Sequence, residues 1–324
     1  MKAVIPVAGI GKRLRPHTLT IPKALLNVAG KPILGHIVDG LLSMGVQELI
    51  PIIGYKGGLI REYLDCTYDI PITYVIQEEQ KGIAHAVYLT REHADDSELI
   101  IILGDTIIKT DFTEIPKCGS FVLGVREVTD PKRFGICDVE DGVITNIEEK
   151  PDEPRSNLAL IGLYYFKNSK ELFAACEKII DKGITTKGEY QITDALQLMI
   201  GNGIRFSPFH IDGWFDCGKV ETLLETNRVL LDGMETNDGR EGSIVIQPCY
   251  IDKNSVIENS IIGPYVTIAR ESEIRHSIIE NSILNEGSKL ENVILRESVV
   301  GAYAEVTGQG SSLNVSDHSQ IDYH

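Results

Sequence analysis

The stretch "ELIIILGD", residues 98–105, holds five apolar residues in a row and then stops on Gly104-Asp105. A strand with one wet face alternates apolar and polar side chains, so an unbroken run of this kind is what a strand covered on both faces needs. The segments around it have the matching pattern. "AVIPV" (3–7), "QELIPIIG" (47–54) and "PITYVI" (71–76) read as further strands. "KPILGHIVDGLLSMG" (31–45) places Ile33, Ile37, Leu41 and Leu42 on one helical face, with Pro32 in the first turn and Gly45 as the stop. "KGGLIREYL" and residues 83–94 read as helices between the strands. Strand and helix in alternation predict a parallel, doubly wound α/β sheet, whose ligands bind beyond the carboxyl ends of the strands. Gly104-Asp105 falls at one such end, and the loop after Val7 at another.

From 120 to 166 the pattern becomes more extended, and Asp141-Gly142 between alternating runs predicts a hairpin. Helices are expected again at 168–181, 189–201 and 219–231. Beyond about residue 245 an Ile, Leu or Val recurs every five or six residues, from Ile251, Ile257 and Ile262 to Leu295, Val300 and Val306. A shift of 16 lays "SIIENSILNEGSKL" (277–290) over "VILRESVVGAYAEV" (293–306). That period is neither 3.6 nor 2, and three short faces per coil make a parallel β-helix of about four coils. The expected boundary sets a domain of 1–235 before one of 236–324.

Composition narrows the class of ligand. The chain has 324 residues, 43% of them hydrophobic, and a net charge of −16. So acidic a chain is not expected to bind nucleic acid or an anionic membrane. Yet no Asp or Glu precedes Asp39, while Lys2, Lys12, Arg13, Arg15, Lys23 and Lys31 give that segment +6. A basic island in an acidic protein suits a small, highly charged anion. The six cysteines form no CxxC pair, the opening "MKAVIPVAG" is no signal peptide, and no run of 18 apolar residues offers a membrane span. A reduced, soluble, cytoplasmic protein is expected.

Within the island, "PVAGIGKRLRPHTLTIPK" (6–23) is neither a Walker A loop nor a dinucleotide fingerprint, since Arg13 follows Gly11-Lys12 and Leu14 stands where a third Gly would be. Gly9 and Gly11 let the backbone approach an anion, and Lys12, Arg13, Arg15 and Lys23 crowd the same stretch. Asp105, at a strand's carboxyl end, suits either Mg²⁺ or the cap of a turn. Asp216 in "GWFDCGK" has a similar setting and is open to the same two readings.

In this order the segments resemble the sugar-1-phosphate nucleotidyltransferases, over residues 2–231, and the tail looks like the left-handed β-helix of longer relatives. The loop matches the family's G-x-G-T-R-L-x-P-x-T-x-x-x-P-K-x-L-L signature through Gly9, Gly11, Arg13, Pro16, Thr18, Pro22, Lys23, Leu25 and Leu26. The resemblance implies a Rossmann-like catalytic domain in which "QEEQKGIAHAV" (77–87) reads the base through Gln77 and the Gly82 backbone. It assigns Gly135, Glu149 and Gly162 to the sugar pocket, Lys150 and Lys187 to the sugar phosphate, and Asp105 with Asp216 to Mg²⁺. Arg13 and Lys23 would neutralise the leaving pyrophosphate. Lys12 replaces the usual Thr, and Ala8 replaces a Gly of the thymidylyl pattern, which leans toward the uridylyl version.

The implied reaction joins a pyrimidine nucleoside triphosphate, dTTP ahead of UTP, to a sugar-1-phosphate, with glucose-1-phosphate the family default. The rival classes are a β-helix acyltransferase using His276 and a nucleotide-sugar-sensing regulatory protein. A second copy of the chain is an expected partner, because stacked β-helix edges need covering.

Overall fold

The computed structural model describes residues 1–234, 240, 242–308 and 313–322. The boundary expected at 235/236 lies outside the described residues. Packing divides the chain into two compact units, one of Met1–Gly9 with His36–Trp214, the other of Ile10–Gly35 with Phe215–His324.

The first unit is built on a nine-stranded sheet. Strand β1 (Lys2–Pro6) is followed by helix α1 (Ile33–Ser43), β2 (Glu48–Ile53), α2 (Gly57–Thr67), β3 (Val75–Ile76), α3 (Ile83–Tyr88) and β4 (Leu99–Ile102). These four strands run parallel in the order β4-β1-β2-β3. All four residues of β4 are buried, as its unbroken apolar run requires.

Beyond β4 the sheet changes character. Strand β5 (Phe121–Glu127), β6 (Gly135–Glu140), β7 (Val143–Glu149) and β8 (Leu158–Phe166) follow in sequence, and β8 pairs antiparallel with β4, β5 and β6. The sheet is therefore mixed: parallel in its first half, antiparallel where β8 meets β4, β5 and β6, and parallel again where the strand Ser207–His210 pairs with β5. Strands β6 and β7 form the expected hairpin, whose two loop residues, Asp141 (φ 51°) and Gly142 (φ 77°), match the twist of a tight antiparallel turn. Helices α4 (Lys170–Asp181) and α5 (Ile192–Gly201) and strand β9 (Ser207–His210) complete the unit.

Three local expectations are corrected. Pro32 lies before α1, paired with Asn27 in a two-residue strand. Leu42 is 37% exposed because Leu34 and Val38 share the buried face with Ile33, Ile37 and Leu41. The helix expected over 83–94 breaks after Tyr88 and resumes as a single turn, Arg91–Ala94.

The second unit holds the segment 10–35, helix α6 (Val220–Leu231) and three parallel sheets of short strands. Successive coils register Ile257 on Ile274, then Leu290, then Val306 in one sheet, and Ile262 on Ile279 on Leu295 in another. Every member of the five-to-six-residue series lies in this buried core, so the tail is the expected parallel β-helix. Corners recur at residues with positive φ, among them Asn259, His276, Asn281, Asn292 and Glu297. The serine after such a corner ties coils together: Ser260 Oγ accepts from Ser277 N, and Ser282 Oγ from Ser298 N, each at 3.1 Å. His276 is an exposed corner residue, and a second histidine, His318, lies in the last coil stacked on Tyr303. Among the described residues no helix is long and apolar enough to cross a membrane.

Candidate active site

In the second unit the basic loop closes on itself. Gly11 has φ 68° and its carbonyl accepts from Thr18 Oγ1 at 2.9 Å. A methyl group on Gly11 would press to 3.0 Å from Lys23 Cβ and 3.1 Å from Thr18 Cγ2, so glycine is needed here for both conformation and space. That fold-back draws Lys23 inward until it is 8% exposed, with Nζ 3.9 Å from Asp216 Oδ1. A methyl on Gly218 would stand 2.8 Å from Asp216 Oδ1 and 2.9 Å from an Arg13 guanidinium nitrogen. Arg13 and Asp216, distant in sequence, thus meet at Gly218, and Lys23 approaches the same Asp216. Lys12 stays exposed beside them.

In the first unit three clusters hold the remaining candidates. Ala8, just past β1, accepts from Gln80 Nε2 at 2.8 Å, and Gly9 has open space before it. Gln77 is buried and donates to the Gly82 carbonyl at 3.5 Å. Gly82 (φ 112°) begins α3, where any side chain would meet the Tyr190 carbonyl at 2.4 Å. Tyr190 N donates to Lys81 O and Ala84 N donates to Tyr190 O, so the 77–84 segment is clamped by one residue that the sequence reading did not single out.

The second cluster lies at the end of β4. Leu103 N donates to Gly162 O, and Gly104 N to Pro6 O. Gly162 (φ 78°) sits where the β5–β8 register shifts, and a methyl there would strike Leu103 at 2.7 Å. Gly162 thereby fixes the backbone leading to Asp105, which accepts from Thr106 Oγ1 at 3.4 Å.

The third cluster surrounds Glu149. Its Oε2 accepts from Thr193 Oγ1 at 3.0 Å and its Oε1 lies 3.1 Å from Lys150 Nζ. A methyl on Gly135 would stand 2.7 Å from Thr193 and 3.1 Å from Glu149, so Gly135, Glu149 and Thr193 are packed as a set. Lys150 and Lys187 both take positive φ and have half-exposed side chains, with Lys187 Nζ 3.5 Å from Asp152 Oδ1. Asp194 accepts from Thr186 Oγ1, and burial, assisted by the charge of Glu149, raises its carboxyl above the usual range. Burial, then the charges of Glu149 and Asp105, likewise raises the Tyr164 hydroxyl. Thr193, Asp194 and Tyr164 were missed as site neighbours. "QITD" reads only as the start of a helix, and nothing in spacing announces that this helix begins beside Glu149.

Among the described residues no three His, Cys, Asp or Glu gather as a metal cluster.

A sheet of this order with a glycine-and-cation loop is the frame of an α/β nucleotide-handling enzyme. Residues 2–233 match the nucleotidyl transferase family. A low-salt glycan biosynthesis nucleotidyltransferase of Haloferax volcanii is 33% identical over 99% of both chains. A UTP–glucose-1-phosphate uridylyltransferase of the same organism is 36% identical over 74% of this chain and all of its own. A glucose-1-phosphate thymidylyltransferase of Streptomyces antibioticus is 31% identical over 99% of both. The crystal structure of UDP-glucose pyrophosphorylase with UDP-glucose is similar with a TM-score of 0.62 and 25% identity, covering 72% of this chain and 99% of that one. The chain belongs to the nucleotidyl transferase family, among its sugar-1-phosphate nucleotidyltransferases. It is an enzyme, which removes the purely sensing reading.

Proposed function

We propose that the protein transfers the nucleotidyl group of dTTP to glucose-1-phosphate, releasing pyrophosphate and forming the nucleotide-sugar. A phosphate oxygen of the sugar phosphate forms a bond to the α-phosphorus as the α–β anhydride bond breaks, and pyrophosphate leaves with the electron pair. The attacking oxygen is already ionised, so no general base is required. The difficulty is charge. Two unit charges 4 Å apart repel by about 4 kcal/mol at an effective dielectric near 20, and several such pairs approach here.

The observation that carries the proposal is that Arg13 comes beside Gly218 and Lys23 Nζ to 3.9 Å from Asp216, in a chain whose first 38 residues hold no acid. Fixed cations of this kind stabilise charge as it develops, without reorganising at the moment of reaction. We assign Arg13 and Lys23 to the leaving pyrophosphate, Gly9, Gly11 and Lys12 to the triphosphate, and Ala8, Gln77 and Gly82 to the nucleoside. Lys150 and Lys187 hold the sugar phosphate, and Gly135, Glu149 and Gly162 form the sugar pocket. Asp105 and Asp216 are the carboxylates proposed for Mg²⁺, which when bound would neutralise phosphate charge.

The preference for dTTP rests on the full-length likeness, tail included, to the thymidylyltransferase. UTP is the second reading. The uridylyltransferase relative has the higher identity, and the Ala8 methyl fills the space in front of Gly54, where a second methyl would come to 3.0 Å. Pyrophosphate release should be measured for dTTP, UTP, GTP, ATP and CTP against glucose-, galactose-, mannose- and N-acetylglucosamine-1-phosphate. We expect the dTTP–glucose pair to be fastest. A UTP maximum replaces the nucleotide assignment, and a blank grid removes the proposal.

A second copy of the chain is the proposed macromolecular partner. One β-helix sheet presents Ile244, Ile278 and Ile294 outward at 60%, 40% and 45% exposure, in register on successive coils with Ile261.

A further inference from the structure

The segment that carries Gly11, Arg13 and Lys23 has little structure of its own: three single 3₁₀ turns and one pair of two-residue strands. Something else must hold it. At its first half, His17 is 2% exposed and its Nε2 is hydrogen-bonded to Oδ1 of Asn314 in the tail. Ser316 Oγ donates to the Pro16 carbonyl beside it at 3.5 Å. Thr18, next to His17, is the residue that closes Gly11 against Lys23.

At its second half, Ala29 N donates at 2.8 Å to Oδ1 of Asn227, a fully buried residue of α6. The same oxygen accepts from Thr267 Oγ1 at 2.6 Å, and Asn227 Nδ2 donates to the Tyr265 carbonyl at 3.2 Å. Thr267 and Tyr265 belong to the β-helix. Gly30 lies flat on the Tyr250 ring of another β-helix strand, where a methyl would be 2.4 Å from it. Asn227 therefore uses both ends of its amide to join the loop segment to the tail.

We propose that the β-helix is the brace of the phosphate loop, with Asn314 and Asn227 as positioning residues that hold Arg13 and Lys23 in place without touching substrate. This rests on the assignment of the loop to the triphosphate. The physical reason is that fixed donors act only when their geometry is held, and misplacement by about 1 Å from a distant change costs up to roughly 10²-fold in rate. Asn227 is a buried amide and Asn314 bonds the buried His17, so each broken hydrogen bond would leave a buried polar group unsatisfied.

The test uses the full-length protein with Asn314→Leu, which removes the acceptor, and Asn314→Asp, which keeps one. With Asn314→Leu, kcat/KM for dTTP should fall about tenfold while KM for the sugar phosphate stays within about twofold, and Asn314→Asp should recover most of the loss. Limited trypsin digestion gives a readout independent of activity, since Lys12 and Arg13 are exposed. Cleavage after them should quicken about tenfold in Asn314→Leu while other sites keep their rate. A blank enzymatic assay with selective loop cleavage overturns the triphosphate assignment and keeps the brace. Unchanged loop cleavage overturns the brace, and so does cleavage that quickens equally at every site, because Asn314 would then support only the global fold. Asn227→Leu repeats the digestion from the other end of the segment, and the same two outcomes decide it.

Discussion

Lys23 shows how much a single residue is asked to do. It is drawn inside by the Gly11–Thr18 closure, and its ammonium group has Asp216 within ion-pair distance. Lys23→Met keeps the aliphatic stem and removes the charge. We expect kcat to fall by roughly 10²–10³-fold, as for the loss of one preorganised donor, with little change in melting temperature. Near-normal turnover would withdraw Lys23 from the chemistry. His17 differs because its charge is the thing excluded. Burial holds its imidazole pKa below the ordinary 6.5, against the opposing pull of Asn314 and Asp317. The unfolded chain therefore takes up a proton more readily than the folded one. Its contribution is complete above pH 6.5 and is lost as pH falls below that value. His17→Gln keeps a side-chain donor but cannot titrate. The wild type should lose melting temperature between pH 7.5 and 5.5 more steeply than His17→Gln, and parallel curves would contradict this account.

Elements of the tail separate inward from outward side chains. Leu290 stacks in the core between Ile274 and Val306, whereas Ile278 faces out of its sheet. Leu290→Ala should cost about 2–5 kcal/mol and leave the native mass unchanged. Ile278→Glu should do the reverse, lowering the native mass in light scattering by whole subunits with little loss of melting temperature. If mass is unchanged in Ile278→Glu, the outward isoleucines do not hold copies together. The first-unit sheet makes a similar point through Gly162. One glycine at a register shift sets the backbone that ends on Asp105, so the irregularity of β8 is part of how the site is made.

For the whole molecule the balance of charge is the governing feature. A chain of net charge −16 that keeps its first 38 residues free of acid directs anions to one segment while repelling them elsewhere. If Asp105 and Asp216 share Mg²⁺ with the substrate phosphates, chelation by EDTA should stop pyrophosphate release, and added Mg²⁺ should restore it. The melting temperature should not move, because the proposed Mg²⁺ is held by two carboxylates together with substrate phosphates and is not part of the fold. Full turnover in EDTA would end the metal assignment.

The amino-acid sequence by itself determined the features that depend on neighbours along the chain. The buried run of β4, the Asp141-Gly142 hairpin, the five-to-six-residue β-helix period and the acid-free basic segment are all local patterns, and each was legible without coordinates. The order of motifs was enough to identify the family. Contacts between distant residues had to wait for the tertiary structure. Thr193 on Glu149, Tyr190 against Gly82, Arg13 beside Gly218 and Lys23 beside Asp216 each join segments separated by tens or hundreds of residues. The tail shows the division most clearly. Its period announces a β-helix, but Asn314 on His17 and Thr267 on Asn227 are set by the docking of folded surfaces, which no repeat encodes. Periodicity reports which face of an element is apolar, and only packing decides what that face, or the polar residue beside it, finally meets.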